Sequence, residues 1–96
     1  MNNYTQYHFL MLDSLPKPMR RAIKQFLIDR GYNMQAFSYL SLYRYDYKHS
    51  MAEDYRIDGL LKHLDKPLFT IRVFKSSGLC ILASNYAPIK EIKFYI

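Results

Sequence analysis

Residues 7–43, YHFLMLDSLPKPMRRAIKQFLIDRGYNMQAFSYLSLY, decide the reading of the fold. Tyr7 to Leu12 is a short apolar run that closes on Asp13-Ser14, the pattern of a buried strand and its exit. Pro16 and Pro18 follow; proline stops a strand from continuing and is tolerated in the first turn of a helix. Met19, Ile23, Phe26 and Leu27 then recur at helical spacing as one apolar stripe. Gly31 suits the position just past the helix end, where the backbone turns to positive φ. Each helical residue advances about 100°, so the periodicity that gathers the apolar stripe also gathers Lys17, Arg20, Arg21 and Lys24 on the other side.

Working outward, Phe37 to Tyr47 is a β-prone run, long enough for one strand or for two broken by a bend. Its alternation puts Phe37, Tyr39, Tyr43, Tyr45 and Tyr47 on one face and Ser38, Leu40, Leu42, Arg44 and Asp46 on the other. Ser50-Met51-Ala52-Glu53 matches a capping box and predicts a second helix starting near Ser50, with Ile57, Leu60, Leu61 and Leu64 as its apolar face. Gly59 weakens that helix by about 1 kcal/mol relative to alanine, and Pro67 marks a stop. Leu68 to Lys75 alternates as a strand, Ser76-Ser77-Gly78 is a turn and Leu79 to Ser84 the returning strand. Asn85 to Pro88 is a loop, and Glu91 to Ile96 reads as a short edge strand. The order predicts a single α+β domain over residues 1–96: a ferredoxin-like split βαβ arrangement, mainly antiparallel, with two helices on one sheet face. The other face must then meet solvent, a partner subunit or a ligand.

Half of the 96 residues are apolar, a globular composition enriched in aromatics by ten Tyr and six Phe. The lone Cys80 excludes an internal disulfide and a four-cysteine metal site, and suits a reducing, cytoplasmic compartment. Met1 to Leu12 does not read as a signal peptide, and no run reaches the ~18 apolar residues of a membrane span. The expectation is a soluble cytoplasmic protein with no membrane partner. The net charge of +6 is unevenly spread. It is concentrated in residues 17–30, with Lys17, Arg20, Arg21, Lys24 and Arg30 against Asp29, and in residues 67–96, with Arg72, Lys75, Lys90 and Lys93 against Glu91. Such an excess attracts phosphates, or serves as a solubilising surface.

The stretch from His8 to Leu42 resembles the small CRISPR-associated Cas-two family. The resemblance is carried by Phe9-Leu10-Met11-Leu12-Asp13, Arg20-Arg21, Phe26-Leu27, Gly31-Tyr32, Gln35 and Ser38, and the later Phe69 to Phe74 strand is similar to that family's fourth strand. The resemblance implies a ferredoxin-like homodimer that contacts DNA through basic surfaces, bridges integrase subunits in CRISPR spacer acquisition, and in some members acts as a metal-dependent nuclease at the Asp ending the first strand. By position that residue is Asp13, and the matched basic residues are Arg20 and Arg21. Twelve residues precede Asp13, and no second acidic residue stands among Ser14, Leu15, Pro16 and Lys17.

Asp13 is therefore the candidate catalytic residue and Mg²⁺ ligand of a metal-dependent endonuclease; it also suits a cap or a favourable charge before the helix. A single Asp makes no strong cation site, but a symmetric dimer would bring two copies together. Lys17, Arg20, Arg21 and Lys24 are candidate phosphate contacts of DNA or RNA. Tyr43, Arg44, Tyr45, Tyr47 and Lys48 combine stacking and cationic groups, suited to unpaired bases or to a protein interface. His8, His49 and His63 show no metal-ligand spacing. Two alternatives to a nucleic-acid-binding dimer stay open. One is a small phage or mobile-element protein that docks on a host protein complex and inhibits it, as an anti-CRISPR would. The other is a toxin-type ribonuclease on the same fold.

Overall fold

A computed structural model describes residues 4–33, 35–47 and 54–96. The chain runs through strand β1 (Tyr4–Leu10), a 3-10 turn (Leu12–Ser14), helix α1 (Lys17–Asp29), a single helical turn α2 (Ala36–Tyr39), and strands β2 (Leu40–Tyr47), β3 (Tyr55–Leu61), β4 (Phe69–Phe74), β5 (Leu79–Ser84) and β6 (Glu91–Tyr95). Among the described residues the strands form one six-stranded antiparallel sheet in the order β1-β2-β3-β4-β5-β6. No described helix is long and apolar enough to cross a membrane.

The α1 stripe is buried as its spacing requires: Met19, Ala22, Ile23, Phe26 and Leu27 all face the sheet side. Gly31 follows the helix at φ 85°, a conformation open to glycine without steric cost. The sheet answers with rows fixed by register. Ile57 sits opposite Ile71 and Ile71 opposite Leu82; Tyr55 sits opposite Val73 and Val73 opposite Cys80. All are buried in the same core as α1. Phe26 meets Phe69 edge-on, with ring centroids 5.4 Å apart. At the far end of α1, Arg30 lies over the Phe26 ring at 5.1 Å and donates to the carbonyls of Tyr86 (2.7 Å) and Pro88 (2.5 Å) and to Ser84 Oγ. The connection between β5 and β6 is thereby tied to the helix.

The α+β class holds, and three expectations are corrected. First, the helix expected from Ser50 to Leu64 is strand β3 over Tyr55–Leu61, while its capping box lies outside the described residues. Tyr55, Ile57, Gly59 and Leu61 satisfy a two-residue period as well as the leucines satisfy a helical one. Gly59, poor in a helix, has a use in the strand: it is register partner to Phe69, and a Cβ on it would overlap the Phe69 ring. Second, the split βαβ order requires a later strand between β1 and β2, whereas these two are direct antiparallel neighbours. From β2 onward each described strand lies beside the one before it. Third, the run expected as strand from Phe37 begins as the turn α2, and β2 starts only at Leu40.

Gly59→Ala is expected to destabilise the protein by roughly 1–3 kcal/mol through overpacking against Phe69. Urea unfolding followed by circular dichroism measures it, and the double variant Gly59→Ala/Phe69→Leu should be less impaired than the sum of its two single changes, because the overlap is relieved.

Candidate nucleic-acid interface

The first and last turns of helix α1 carry charges that oppose its dipole, although Arg30 stands as a cation at its C-cap. A helix N-terminus holds partial positive charge and favours anions, and a C-terminus favours cations. Here the first turn has no acidic residue, Lys17, Arg20 and Arg21 occupy the N-terminal half, and the last turn holds Asp29 and no cation. Lys17, Arg21 and Lys24 are exposed; Arg20 is half-buried, and its Nε makes no hydrogen bond among the described residues. The described ion pairs are Arg44 with Asp46 and Arg56 with Asp58, so none of the four cations on α1 is neutralised by a described acid. Pro16 occupies the N-cap position and supplies no side-chain bond. The helix owes its place to the buried stripe and to Arg30 at its C-cap, not to an N-terminal cap.

Asp13 lies within the 3-10 turn, exposed, and three residues beyond the end of β1 at Leu10. It does not cap α1. Ser14 holds the turn instead, its Oγ donating to the Met11 carbonyl at 2.7 Å. Magnesium asks for near-octahedral oxygen ligation. One exposed carboxylate, with no group of three or more His, Cys, Asp or Glu gathered among the described residues, does not meet that requirement by itself. A metal site at Asp13 would need donors beyond those the described residues gather, such as a second Asp13.

Strand alternation divides the aromatic cluster that the sequence presents as one. Tyr43 and Tyr45 point to the sheet face away from α1, opposite Asp58 and Arg56 in register. Arg44 points to the α1 side, where its guanidinium lies 3.7 Å from the Tyr55 ring centroid and its Nε pairs with Asp46 at 2.8 Å. Tyr47 ends β2, and Lys48 lies outside the described residues. Tyr43 and Tyr45 therefore share no face with Arg44, and they lie across the sheet from Lys17, Arg20, Arg21 and Lys24.

Several polar side chains have partners that sequence reading does not reveal. Asp58 is 3% exposed, accepts from Thr70 Oγ1 at 2.9 Å and pairs with Arg56 at 3.2 Å. Asn85 extends the network by donating to Thr70 Oγ1 at 3.1 Å and to the Pro67 carbonyl at 3.0 Å. Burial pushes the Asp58 carboxyl above its ordinary range, against the opposing pull of Arg56 and the Thr70 hydroxyl. A helical reading of residues 50–64 hides this network, because it depends on the register that sets Asp58 opposite Thr70. Arg30, counted in sequence as basic surface, is committed to the β5–β6 connection. Beside it, a cleft of about 300 Å³ is bordered by Asp29, Arg30, Lys90 and Glu91, two charges of each sign. Cys80 is fully buried, and burial pushes its thiol up to about 11, which leaves it no thiolate for nucleophilic chemistry near neutrality.

Compared with protein-family models, with curated proteins and with solved structures, the chain matches none.

The direction at Asp58 fixes a pH trend. A carboxyl whose native pKa is raised keeps its proton to higher pH in the folded chain than in the unfolded chain, where it titrates at about 3.9. As pH rises from there through the native value, the folded state holds the extra proton and loses stability relative to the unfolded state. Asp58→Asn removes this component. The variant should therefore gain on the wild type as pH rises from acid toward neutrality, measured as the difference in unfolding free energy in urea. A wild type that instead gains on the variant would mean that Arg56 outweighs burial.

Proposed function

We propose that this chain is a cytoplasmic nucleic-acid-binding protein that holds phosphates along the exposed face of α1. The supporting observation is the run of cations with no described acid beside them, Lys17, Arg20, Arg21 and Lys24, which begins in the first turn of the helix, where cations are least favoured. Each cation near a helix N-terminus forgoes about 0.3–1 kcal/mol that an anion there would supply. A bound polyanion reverses that balance, and release of its condensed counterions drives the association. The net charge of +6 adds long-range attraction. DNA and RNA both suit the site, since phosphate contacts carry no sequence information. Charge favours a nucleic acid over docking on a host protein complex. Beside an integrase, as the Cas-two resemblance implies, a homodimer with this face would hold DNA during spacer acquisition, but the meander order lends no support to that finer role. The reading is one of binding, since no group of three or more His, Cys, Asp or Glu gathers among the described residues.

The test is fluorescence anisotropy with a labelled DNA duplex over a salt series, comparing the wild type with Lys17→Gln/Arg21→Gln/Lys24→Gln, three exposed positions. The logarithm of wild-type affinity should fall linearly with the logarithm of salt concentration, and the variant's slope should be shallower by about 2–3, at about 0.9 for each phosphate the variant no longer neutralises. Thermal stability should be unchanged or slightly higher, because the helix dipole is relieved. A wild type that does not bind, or a variant with the wild-type affinity and slope, overturns the reading.

A further inference from the structure

The sheet face away from α1 has a chemistry of its own. Register sets Tyr45 opposite Arg56, Arg56 opposite Arg72, Arg72 opposite Ile81 and Ile81 opposite Lys93. These five side chains form one row across β2 to β6, spanning about 19 Å at about 4.8 Å per strand. The row places two arginines directly opposite each other, an arrangement that destabilises an antiparallel pair. Arg56 is compensated: it pairs with Asp58 at 3.2 Å and lies 4.9 Å from the Tyr45 ring centroid. Arg72 is not, since no described acid pairs with it, nor with Lys93 two strands away. Between them Ile81 is only 8% exposed, on the face away from α1. Flat aromatic groups stand at both ends, with partly exposed Tyr45 on β2 and Tyr95 on the edge strand β6 at 66% exposure.

Cations spaced along a sheet face and bracketed by aromatic rings suit phosphates and unstacked bases together. A duplex buries its base faces in the stack and offers them to a sheet only at its ends. We propose that this face binds single-stranded nucleic acid, with Arg72 and Lys93 on the phosphates and with bases stacked on Tyr45 and Tyr95. The proposal shares with the α1 reading only the class of the ligand; it names a second site on the opposite side of the molecule and the form of nucleic acid held there.

Anisotropy with a labelled oligothymidine of about 15 nucleotides, within the range of known single-strand sites, tests it on the full chain with three comparisons. Arg72→Gln/Lys93→Gln, at one half-buried and one exposed position, should weaken oligothymidine binding at least tenfold and reduce its salt slope by about 1.4, at about 0.7 per phosphate. The same variant should bind duplex as the wild type does, while the α1 triple variant should show the reverse pattern. An abasic strand of equal length should bind the wild type several-fold more weakly than oligothymidine, because it has no bases to stack; this arm needs no substitution and is insensitive to misfolding. The inference is overturned if the double variant binds oligothymidine like the wild type, or if abasic and thymidine strands bind alike. It is also overturned if sedimentation shows a wild-type dimer that the double variant dissociates while single-strand binding is unchanged, since a second copy then covers the face. Duplex binding that survives any of these failures leaves the α1 site standing.

Discussion

Phe69 is the side chain through which the two layers hold each other. Its ring meets Phe26 of α1 edge-on and occupies the space that a side chain at residue 59 would fill. The glycine notch lets the β3–β4 pair carry a phenylalanine with no exposed surface, and the edge-on contact sets the rotation of α1 about its axis. Once Phe26 faces down, Met19, Ile23 and Leu27 face down with it. Lys17, Arg21 and Lys24 are then held out toward solvent. Arg30 completes the arrangement at the helix's other end, stacked on Phe26 and bonded to the carbonyls that lead into β6. The position of the basic face is thus a consequence of how the α1 stripe, Phe26 included, is buried.

Two arrangements in this molecule run against local electrostatics. Lys17 and Arg20 sit in the first turn of α1, against its dipole, and Arg56 lies directly opposite Arg72. Only part of the second is offset internally, by the buried carboxylate of Asp58, which accepts from Thr70, itself bonded by Asn85. The two arrangements face opposite sides of the molecule, so they do not compensate each other. Both leave positive charge where an external anion gains most, and helix and sheet arrive there by different routes. On the helix, the period that buries one stripe collects cations on the other. On the sheet, cross-strand register aligns residues far apart in sequence into one row.

The features legible in the sequence were those that one segment settles alone. The stripe of α1, its stop at Gly31 and the hairpin from Phe69 to Ser84 are local periodicities with local breakers, and they stand in the structure with small shifts of boundary. The segment from Tyr55 to Leu61 was ambiguous because its apolar residues satisfy both periods, and its glycine counted against a helix only weakly. The partner that explains Gly59 is ten residues away, and no local pattern points to it. The candidate site divides in the same way. The four cations of α1 were visible from spacing. The separation of Arg44 from Tyr43 and Tyr45 follows from strand alternation, whereas the commitments of Arg30 and Asp58 depend on partners in other elements.

By itself the sequence determined an amphipathic basic helix, an α+β composition and the uneven spread of the net charge, because periodicity and composition are properties of neighbouring residues. Tertiary structure alone decided that residues 55–61 extend as a strand, that the strands follow one another in a meander, and that Tyr45, Arg56, Arg72, Ile81 and Lys93 share one row. The physical reason is that pairing energy in a sheet comes from cross-strand contacts, chiefly the burial of Phe69 over Gly59. A strand's register, and every side chain's choice of face, is therefore fixed by residues that the segment itself does not contain.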